Sequence, residues 1–292
     1  MRLGRLLGID FHVNPFFLAL IALFFVAGVL DRGLIAFGVV LVHEMTHALV
    51  ARHLGIPVNQ VELLPFGGVA RVEAELALDP VREIYVAVVG PASNLAMFAL
   101  GLGLKNYGIW HESLGPFFLQ CNLLMALFNL LPVLPLDGGR IYRAFRAERD
   151  GIGEATYKAA WLGQVMAVII LLAGAAGIWA GYCGLDIPVV ALFLLYAATR
   201  ERLASPYLFM RMIRDKHEEL AREGLLPVAH LAALESMPLG RLVRPFVPRK
   251  FHLVSVLDRR HRLLGTVTET AVINALLQRG GHATVGELLE GE

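Results

Sequence analysis

The chain has few charged residues and almost no cysteine. Only 17% of its 292 residues are Asp, Glu, Lys or Arg, whereas 57% are hydrophobic, a balance that excludes an ordinary soluble protein. The formal net charge of +1 gives no bulk attraction to a polyanion, so we expect no nucleic-acid partner. Cys121 and Cys183 lie in or beside apolar segments and lack metal-ligand spacing, so we expect neither a disulfide nor a thiolate site.

Long apolar runs stand where charges are scarce. Six runs approach the roughly 20 residues that a helix needs to cross a bilayer. No small-residue cleavage site follows the first run, so we expect it to remain as an anchor. The sequence therefore predicts a membrane protein with an all-α polytopic bundle of about six transmembrane helices in residues 1–203, followed by a more polar domain in residues 204–292. The six runs are residues 14–30, 33–53, 83–104, 116–135, 160–182 and 187–200.

Positive charges are shared unevenly between the loops that join these runs. If the N-terminus is cytoplasmic, nearly all Lys and Arg residues of the loops fall on the cytoplasmic side, and the opposite side carries only Arg32 and Lys105. Cytoplasmic loops of membrane proteins carry an excess of Lys and Arg. We therefore expect an integral, multi-pass membrane protein whose N- and C-termini are both cytoplasmic.

A short segment between the second and third runs has strand character. The stretches "VNQVELL" at 58–64 and "GVARVEAEL" at 68–76 alternate apolar and polar residues, and Pro65, Gly67 and Gly68 interrupt the alternation. This pattern predicts a short β-hairpin. Because strand edges have no backbone partners in lipid, the hairpin should lie at the membrane surface or be buried in protein.

The second run, "GVVLVHEMTHALVARHL" at 38–54, contains His43, Glu44 and His47. The two histidines are spaced i, i+4, so on a helix they share one face and can bind one metal ion. Zinc suits imidazole ligands and lowers the pKa of bound water to about 7, and Glu44 is close enough to accept the proton. The alternative is that these groups only pair across helices, but three ionisable groups at zinc spacing are costly to bury without a function.

Two histidines need a third ligand, and "FNLLPVLPLDGGR" at 128–140 offers Asp137. Pro132 and Pro135 break the helix before it, and the two glycines after it permit a tight turn that brings the carboxylate inward. A plain polar turn that leaves the membrane explains the Asp-Gly pair equally well. Spacing alone leaves both interpretations open.

Three motifs together resemble a known family. "HEMTH" at 43–47, "GPASN" at 90–94 and "NLLPVLPLDGG" at 129–139 lie in this order on separate runs. They are similar to the motifs of the site-2 protease family of intramembrane zinc metalloproteases, peptidase M50. The short N-terminal arrangement and the C-terminal soluble domain resemble the sporulation branch of this family.

The resemblance implies a site and an activity. One Zn²⁺ per chain would be held by His43, His47 and Asp137, with Glu44 as the general base of a zinc metalloendopeptidase. The substrate would be a membrane-associated precursor cut near the cytoplasmic face, which implies removal of the pro-sequence of a sporulation sigma factor. Integral membrane inhibitor proteins would regulate the cleavage.

Further residues of these motifs are candidates for substrate binding. Asn94 either orients substrate and stabilises the oxyanion or makes an interhelical hydrogen bond, and we weigh the two equally. Asn129 would hold the substrate backbone or the broken helix, in the segment shaped by Pro132 and Pro135.

The segment "PFGG" at 65–68 resembles the membrane-associated strand of the family. Phe66, Gly67 and Gly68 would there receive an unwound substrate as an added strand. Such pairing makes physical sense because the peptide bonds of a helix are hydrogen-bonded and shielded.

The C-terminal stretch "FHLVSVLDRRHRLLGTVTETAVINALL" at 251–277 predicts a strand, a turn, a strand and a helix. Gly265 and "TVTETAVINAL" resemble the second half of a cystathionine-β-synthase (CBS) motif, so we expect a small α/β CBS-like domain. Such domains often bind adenine nucleotides, which makes ATP a candidate ligand, although no glycine-rich phosphate loop identifies its residues. Because CBS motifs normally pair, a single one suggests a homo-oligomer; the alternative is a domain used only for protein contact.

Two other functions are alternatives to the sporulation protease. A metal-handling transporter would use the histidines as a translocation site, but it predicts internal repeats and polar residues along a path through the bilayer, and the sequence has neither. A site-2 protease could also act on a different substrate, such as an anti-sigma factor or a signal-peptide remnant.

Overall fold

The structure is a computed structural model that describes residues 2–6, 9–13, 15–56, 58, 60–64, 67–70, 79–247 and 250–289. The chain divides into two compact units. The first unit comprises Met1–Ala144 and Ala159–Glu201, and the second comprises Phe145–Lys158 and Arg202–Glu292. The sequence boundary predicted near residue 204 stays a prediction.

Seven helices among the described residues precede the C-terminal sheet. They are α1 (Pro15–Val26), α2 (Leu30–His53), α3 (Pro80–Asn106), α4 (Leu114–Asn129), α5 (Asp137–Asp150), α6 (Ile152–Trp179) and α7 (Asp186–Glu223). Helices α2, α3 and α4 pack against one another in all three pairings. This mutual packing brings parts of the chain that are far apart in sequence to one point.

Three of these helices are long and apolar enough to cross a membrane within the part of the chain that the structure describes. They are α2, α3 and α6, with 24, 27 and 28 residues, whereas α4 is a shorter apolar helix. The predicted run 14–30 corresponds to α1, which has 12 residues, and the run 187–200 is the first part of the 38-residue α7. The predominantly helical membrane fold is confirmed, and the count of six spans stays a prediction.

The predicted hairpin is present, as part of a larger sheet. Strand β3 (Gln60–Leu64) pairs antiparallel with β4 (Gly67–Ala70). Two N-terminal strands that sequence reasoning missed, β1 (Arg2–Leu6) and β2 (Ile9–Val13), pair antiparallel with each other. Because β2 also runs parallel to β3, the sheet has the order β1-β2-β3-β4, and β4 is an edge strand within the described part of the chain.

Small residues set the packing of α2 against the start of α3. Ala48 and Ala51 of α2 are buried together with Val86 of α3, and small side chains let helix backbones approach closely. Helix α3 begins at Pro80, whose fixed φ suits the first turn. The Asp79 carboxylate caps this turn by accepting from the Arg82 N–H at 3.3 Å.

The second unit contains a three-stranded sheet. Strand β5 (Val228–Leu234) runs parallel to β6 (Phe251–Leu257), which pairs antiparallel with β7 (Leu263–Thr268). The short helix α8 (Leu239–Leu242), helix α9 (Glu269–Arg279) and a 3₁₀ turn (Gly286–Leu288) complete the unit. The predicted order of strand, turn, strand and helix is confirmed, β5 is additional, and the CBS-like character stays a prediction.

Candidate metal centre

Helix α2 carries His43 and His47 one turn apart on the same face, as their spacing predicts. The two Nε2 atoms lie 3.1 Å apart, and the rings meet edge to face with centroids 4.7 Å apart. Both side chains are buried, with exposed fractions of 2% and 7%. Two imidazole nitrogens therefore converge in the interior of the helical bundle.

Gly90 of α3 makes room for these rings. A Cβ atom at this position would lie 2.7 Å from Cε1 of His43 and closer still to Nε2 of His47. A separation under 3.0 Å forces the neighbour to move, so the histidines require the glycine of "GPASN". The sequence identifies Gly90 only as part of a motif, because its role depends on how α3 crosses α2.

Asp137 reaches the histidines from the first residue of α5. The turn that precedes it is anchored by Val133 and Leu134, which are fully buried in two apolar clusters with residues of α6 and α7. A Cβ at Gly138 would overlap the carbonyl oxygens of Leu130 and Leu131. The Asp-Gly-Gly sequence therefore lets α5 start directly against this turn, with the Asp137 carboxylate turned inward.

The three side chains form a compact triangle, called the metal centre below. Asp137 Oδ2 lies 3.2 Å from Nε2 of His43 and 3.2 Å from Nε2 of His47, and Asp137 is itself buried. Tetrahedral zinc with bonds of about 2.0–2.1 Å separates its ligands by about 3.3 Å. The donor set and its spacing therefore fit a zinc ion.

The hydrogen bonds behind the rings determine which ring nitrogen carries the proton. His43 Nδ1 lies 2.6 Å from Asn94 Oδ1, and His47 Nδ1 lies 2.7 Å from the Val86 carbonyl oxygen. Because both partners are acceptors, each Nδ1 donates, and each Nε2 of a neutral ring presents a lone pair. Within the described residues, Asp137 Oδ2 is buried without a hydrogen-bond partner. Three lone pairs thus face one another, an arrangement that a cation stabilises.

Glu44 follows His43 directly and is partly buried. Its position on α2 lies about 100° around the helix axis from His43. Among the residues that the structure describes, its carboxylate makes no hydrogen bond or ion pair, so it is available to accept a proton beside the metal centre.

The remaining predicted residues lie at different distances from this chemistry. Asn94 is fully buried, and its amide contacts His43 and Asn122, which favours the interhelical alternative over contact with substrate. Asn129 donates from Nδ2 to the Met125 carbonyl of its own helix at 3.1 Å. Pro132 and Pro135 lie in the turn before Asp137.

The hairpin candidates are described only in part. Gly67 and Gly68 lie in β4 opposite Leu64 and Leu63, and Phe66 falls outside the described residues. Their role in binding substrate stays a prediction.

One buried ion pair beside the motifs was missed by sequence reasoning. Glu83 in the first turn of α3 accepts from Arg143 of α5, whose Nε lies 3.1 Å from Glu83 Oε1 and whose Nη2 bonds the same oxygen. Both side chains are buried, so the pair ties α3 to the helix that carries Asp137. The two residues are 60 positions apart in sequence, and no spacing rule connects them.

The fold and the metal centre define a class: a helical membrane protein with a buried pair of histidines and an aspartate arranged to hold zinc. The chain matches peptidase family M50 over residues 33–107 and 104–173, a range that includes all three side chains of the metal centre. Over these residues, which make up just under half of the chain, the sequence is similar to the proteins of this family.

Individual proteins are similar to this chain as well. The chain is 35% identical over 188 residues to Rip3 of Mycobacterium tuberculosis, a zinc metalloprotease by name. The aligned part covers 58% of this chain and 46% of Rip3. It is 33% identical over 131 residues to stage IV sporulation protein FB of Bacillus subtilis. The aligned part covers 44% of this chain and 45% of that protein. The chain thus spans about half the length of the curated relatives it matches.

A solved structure has the same fold. The site-2 protease from Methanocaldococcus jannaschii superposes with a TM-score of 0.55 at 25% sequence identity, covering 69% of this chain and 94% of that one.

Proposed function

We propose that this chain is an intramembrane zinc endopeptidase in which His43, His47 and Asp137 bind the zinc ion and Glu44 is the general base. The observation that carries the proposal is the triangle of buried lone pairs, 3.1–3.2 Å on each side, with both histidine tautomers fixed from behind. A structural hydrogen-bond cluster would place donors opposite acceptors. Three acceptors instead favour a cation.

The chemistry follows from the residues around the centre. A zinc ion held by His43, His47 and Asp137 would polarise the scissile carbonyl and would lower the pKa of a bound water to about 7. Glu44 accepts the proton of the attacking water and delivers it to the leaving amine. Burial of the centre excludes bulk water and strengthens these electrostatic interactions.

The edge strand β4 supports a mode of substrate presentation. A peptide bond in a helix is protected by its own hydrogen bonds, so the substrate segment must unwind before cleavage. An unwound segment could pair with β4, the last strand in the order of the described sheet, in the manner of β-strand addition. Gly67 and Gly68 have no side chain, which favours the close approach of a second backbone.

The substrate proposed is a membrane-associated precursor protein cut near the cytoplasmic face, with both termini of this chain in the cytoplasm. The name of the Bacillus subtilis relative, stage IV sporulation protein FB, supports the pro-sequence of a sporulation sigma factor. Anti-sigma factors and signal-peptide remnants are the competing substrates, and the experiment below separates them.

The proposal extends to regulation. Residues 1–203 would form the protease domain and residues 204–292 a CBS-like regulatory domain that binds ATP and supports a homo-oligomer. Integral membrane inhibitor proteins would act on the protease domain. A change in cleavage rate on addition of ATP to the purified full chain tests the nucleotide part.

Co-expression with candidate precursors tests the function. The wild type should shorten one sigma-factor precursor, Glu44→Gln should abolish the product while keeping bound zinc, and Glu112→Gln, at an exposed position, should cleave like the wild type. Cleavage by Glu44→Gln would remove Glu44 from the mechanism. Cleavage of an anti-sigma factor or a signal-peptide remnant instead would replace the substrate and keep the protease.

A further inference from the structure

The two histidines of the metal centre are oriented by partners of different kinds. His47 Nδ1 donates to a backbone carbonyl, that of Val86, which can only accept. His43 Nδ1 donates to the side-chain amide of Asn94, which presents an acceptor on one side and a donor on the other. If the Asn94 amide rotated by half a turn, its NH₂ group would face His43 Nδ1 and favour the opposite tautomer.

Asn122 of α4 prevents this rotation. Its Nδ2 donates to the Phe118 carbonyl at 2.9 Å, and that oxygen can only accept. Asn122 Oδ1 is thereby left to accept from Asn94 Nδ2 at 3.1 Å, and Asn94 Oδ1 is left to accept from His43. The direction of each of these three hydrogen bonds therefore follows from one backbone carbonyl of α4, that of Phe118.

Because they are buried, the hydrogen bonds from Asn122 through Asn94 to His43 determine the orientation of both amides. Asn94 and Asn122 are both fully buried, with exposed fractions of 0%, so no bulk water is at hand to replace a missing partner. An unsatisfied buried amide is costly, and each amide therefore keeps the orientation that satisfies both of its ends.

We propose that Asn122 is a positioning residue that fixes the tautomer of His43 through Asn94, so that His43 Nε2 presents its lone pair to the metal ion. The inference rests on the proposed function for the role of His43 as a ligand. It assigns to α4, which supplies no ligand, a defined part in metal binding. Nothing in the spacing of Asn122 in the sequence identifies this role.

Removing Asn122 should weaken zinc binding without removing a ligand. Leucine has a similar volume but cannot hold the Asn94 amide, so in Asn122→Leu the amide can rotate and His43 Nε2 can carry the proton. Loss of a partner that orients a metal ligand typically weakens metal affinity about 10- to 100-fold. The measurement is the zinc dissociation constant of the full chain in detergent, by competition with a chelator of known affinity.

Two further variants make the test specific. Gln120→Leu changes an exposed amide on the same helix and should bind zinc like the wild type. Asn122→Asp should restore near wild-type affinity, because a protonated carboxyl group can donate to the Phe118 carbonyl and accept from Asn94. A role in packing alone predicts instead that Asn122→Asp and Asn122→Leu weaken zinc binding equally, with a parallel fall in the melting temperature of the metal-free protein.

The results separate this inference from the proposed function. His43→Ala should lose zinc; if it binds zinc normally, the ligand set itself is wrong. If His43→Ala loses zinc while Asn122→Leu binds like the wild type, only the role of Asn122 is overturned. Weakened binding in Asn122→Leu, rescued in Asn122→Asp, supports it.

Discussion

Among the residues that the structure describes, a carboxylate is buried beside a histidine in two clusters, which differ in their supply of hydrogen-bond donors. In the second unit, Glu269 Oε1 accepts from Lys216 Nζ at 2.8 Å, and Oε2 accepts from His252 Nδ1 at 2.6 Å and from the His252 backbone N–H at 2.9 Å. His252 Nε2 in turn accepts from the Val247 N–H at 3.3 Å. In these three side chains, the Lys216 cluster, donors face acceptors and a positive charge faces a carboxylate.

The metal centre and the Lys216 cluster differ in the source of the positive charge beside the carboxylate. In the Lys216 cluster the positive charge that balances Glu269 comes from the chain itself. In the metal centre, the two imidazoles, in the tautomers set by their partners, and the Asp137 carboxylate present lone pairs to one another, an arrangement that a bound cation would stabilise. Burial of histidine with a carboxylate is therefore no sign of a metal site by itself; the count of donors and acceptors decides.

The electrostatics of the Lys216 cluster follow from its burial. Burial alone raises the pKa of Glu269, but the hydrogen bond from His252 and the charge of Lys216 outweigh it and hold the pKa below the ordinary value. Burial lowers the pKa of Lys216, and the neighbouring Glu269 charge opposes that shift. The ionised pair is the form that the fold favours.

The largest expected effect comes from breaking the Lys216 cluster. Glu269→Ala leaves a buried lysine without its partner, which typically destabilises a protein by about 3–5 kcal/mol. Urea unfolding of the second unit, followed by hydrogen exchange in β6, should show this loss, while zinc content stays unchanged. The double variant Lys216→Met/Glu269→Gln, which removes both charges, should recover most of the stability. A loss of zinc in Glu269→Ala would contradict the separation of the two clusters.

Metal removal should act on the other cluster alone. A free zinc concentration of 100 times the dissociation constant stabilises the bound state by about 2.7 kcal/mol. Chelation should remove this stabilisation from α2 and α3, as measured by hydrogen exchange, and leave β6 unaffected. Equal protection of α2 with and without zinc would show that the metal centre is satisfied without an ion.

Adding one methyl group to α3 should lower zinc affinity at one glycine and leave it unchanged at another. Gly90→Ala places a Cβ 2.7 Å from His43 Cε1, so the rings must move and zinc affinity should fall at least about tenfold, or about 1.4 kcal/mol. Gly103→Ala on the same helix meets no atom within 4 Å and is the matched control. Chelator competition measures both, and equal affinities would refute the close approach of α3 to the histidines.

The smallest effect is a dependence on pH. Because the pKa of Glu269 is lowered in the folded state, its contribution to stability is complete above the ordinary carboxyl pKa of about 4.3 and is lost as pH falls through the lower folded-state pKa. Between pH 5 and pH 3, the wild type should therefore lose more stability in the second unit than Glu269→Gln. Parallel losses in urea unfolding would show that Glu269 titrates normally.

Local patterns predicted the parts of the site that are local. The i, i+4 spacing of His43 and His47 fixes a shared helix face, and the structure brings their nitrogens together. Asp137 comes from a different helix, so spacing left a turn and a ligand equally open, and only family motifs favoured the ligand. Asn122 is one of three amide residues in a mostly apolar helix, and its partner is set by how α4 crosses α3, which sequence periodicity does not encode.

The fold divides in the same way. Alternating residues predicted the β3–β4 hairpin and the strands around residues 251–268, because hairpin pairing is local. Strands β1 and β2 were missed because β2 pairs in parallel with β3, about fifty residues further along the chain. The Glu83–Arg143 pair was missed for the same reason: neither residue has a partner within a turn of its own helix.

X-ray absorption spectroscopy at the zinc edge, on the purified full chain, tests most directly the claim that His43, His47 and Asp137 bind zinc. We predict one zinc per chain in a shell of nitrogen and oxygen neighbours at about 2.0–2.1 Å, with imidazole scattering from two histidines. In Asp137→Ala the zinc content should fall sharply, while Glu44→Gln should retain both the metal and its imidazole signal. Full zinc content in Asp137→Ala, or a shell without imidazole in the wild type, would contradict the His43–His47–Asp137 centre.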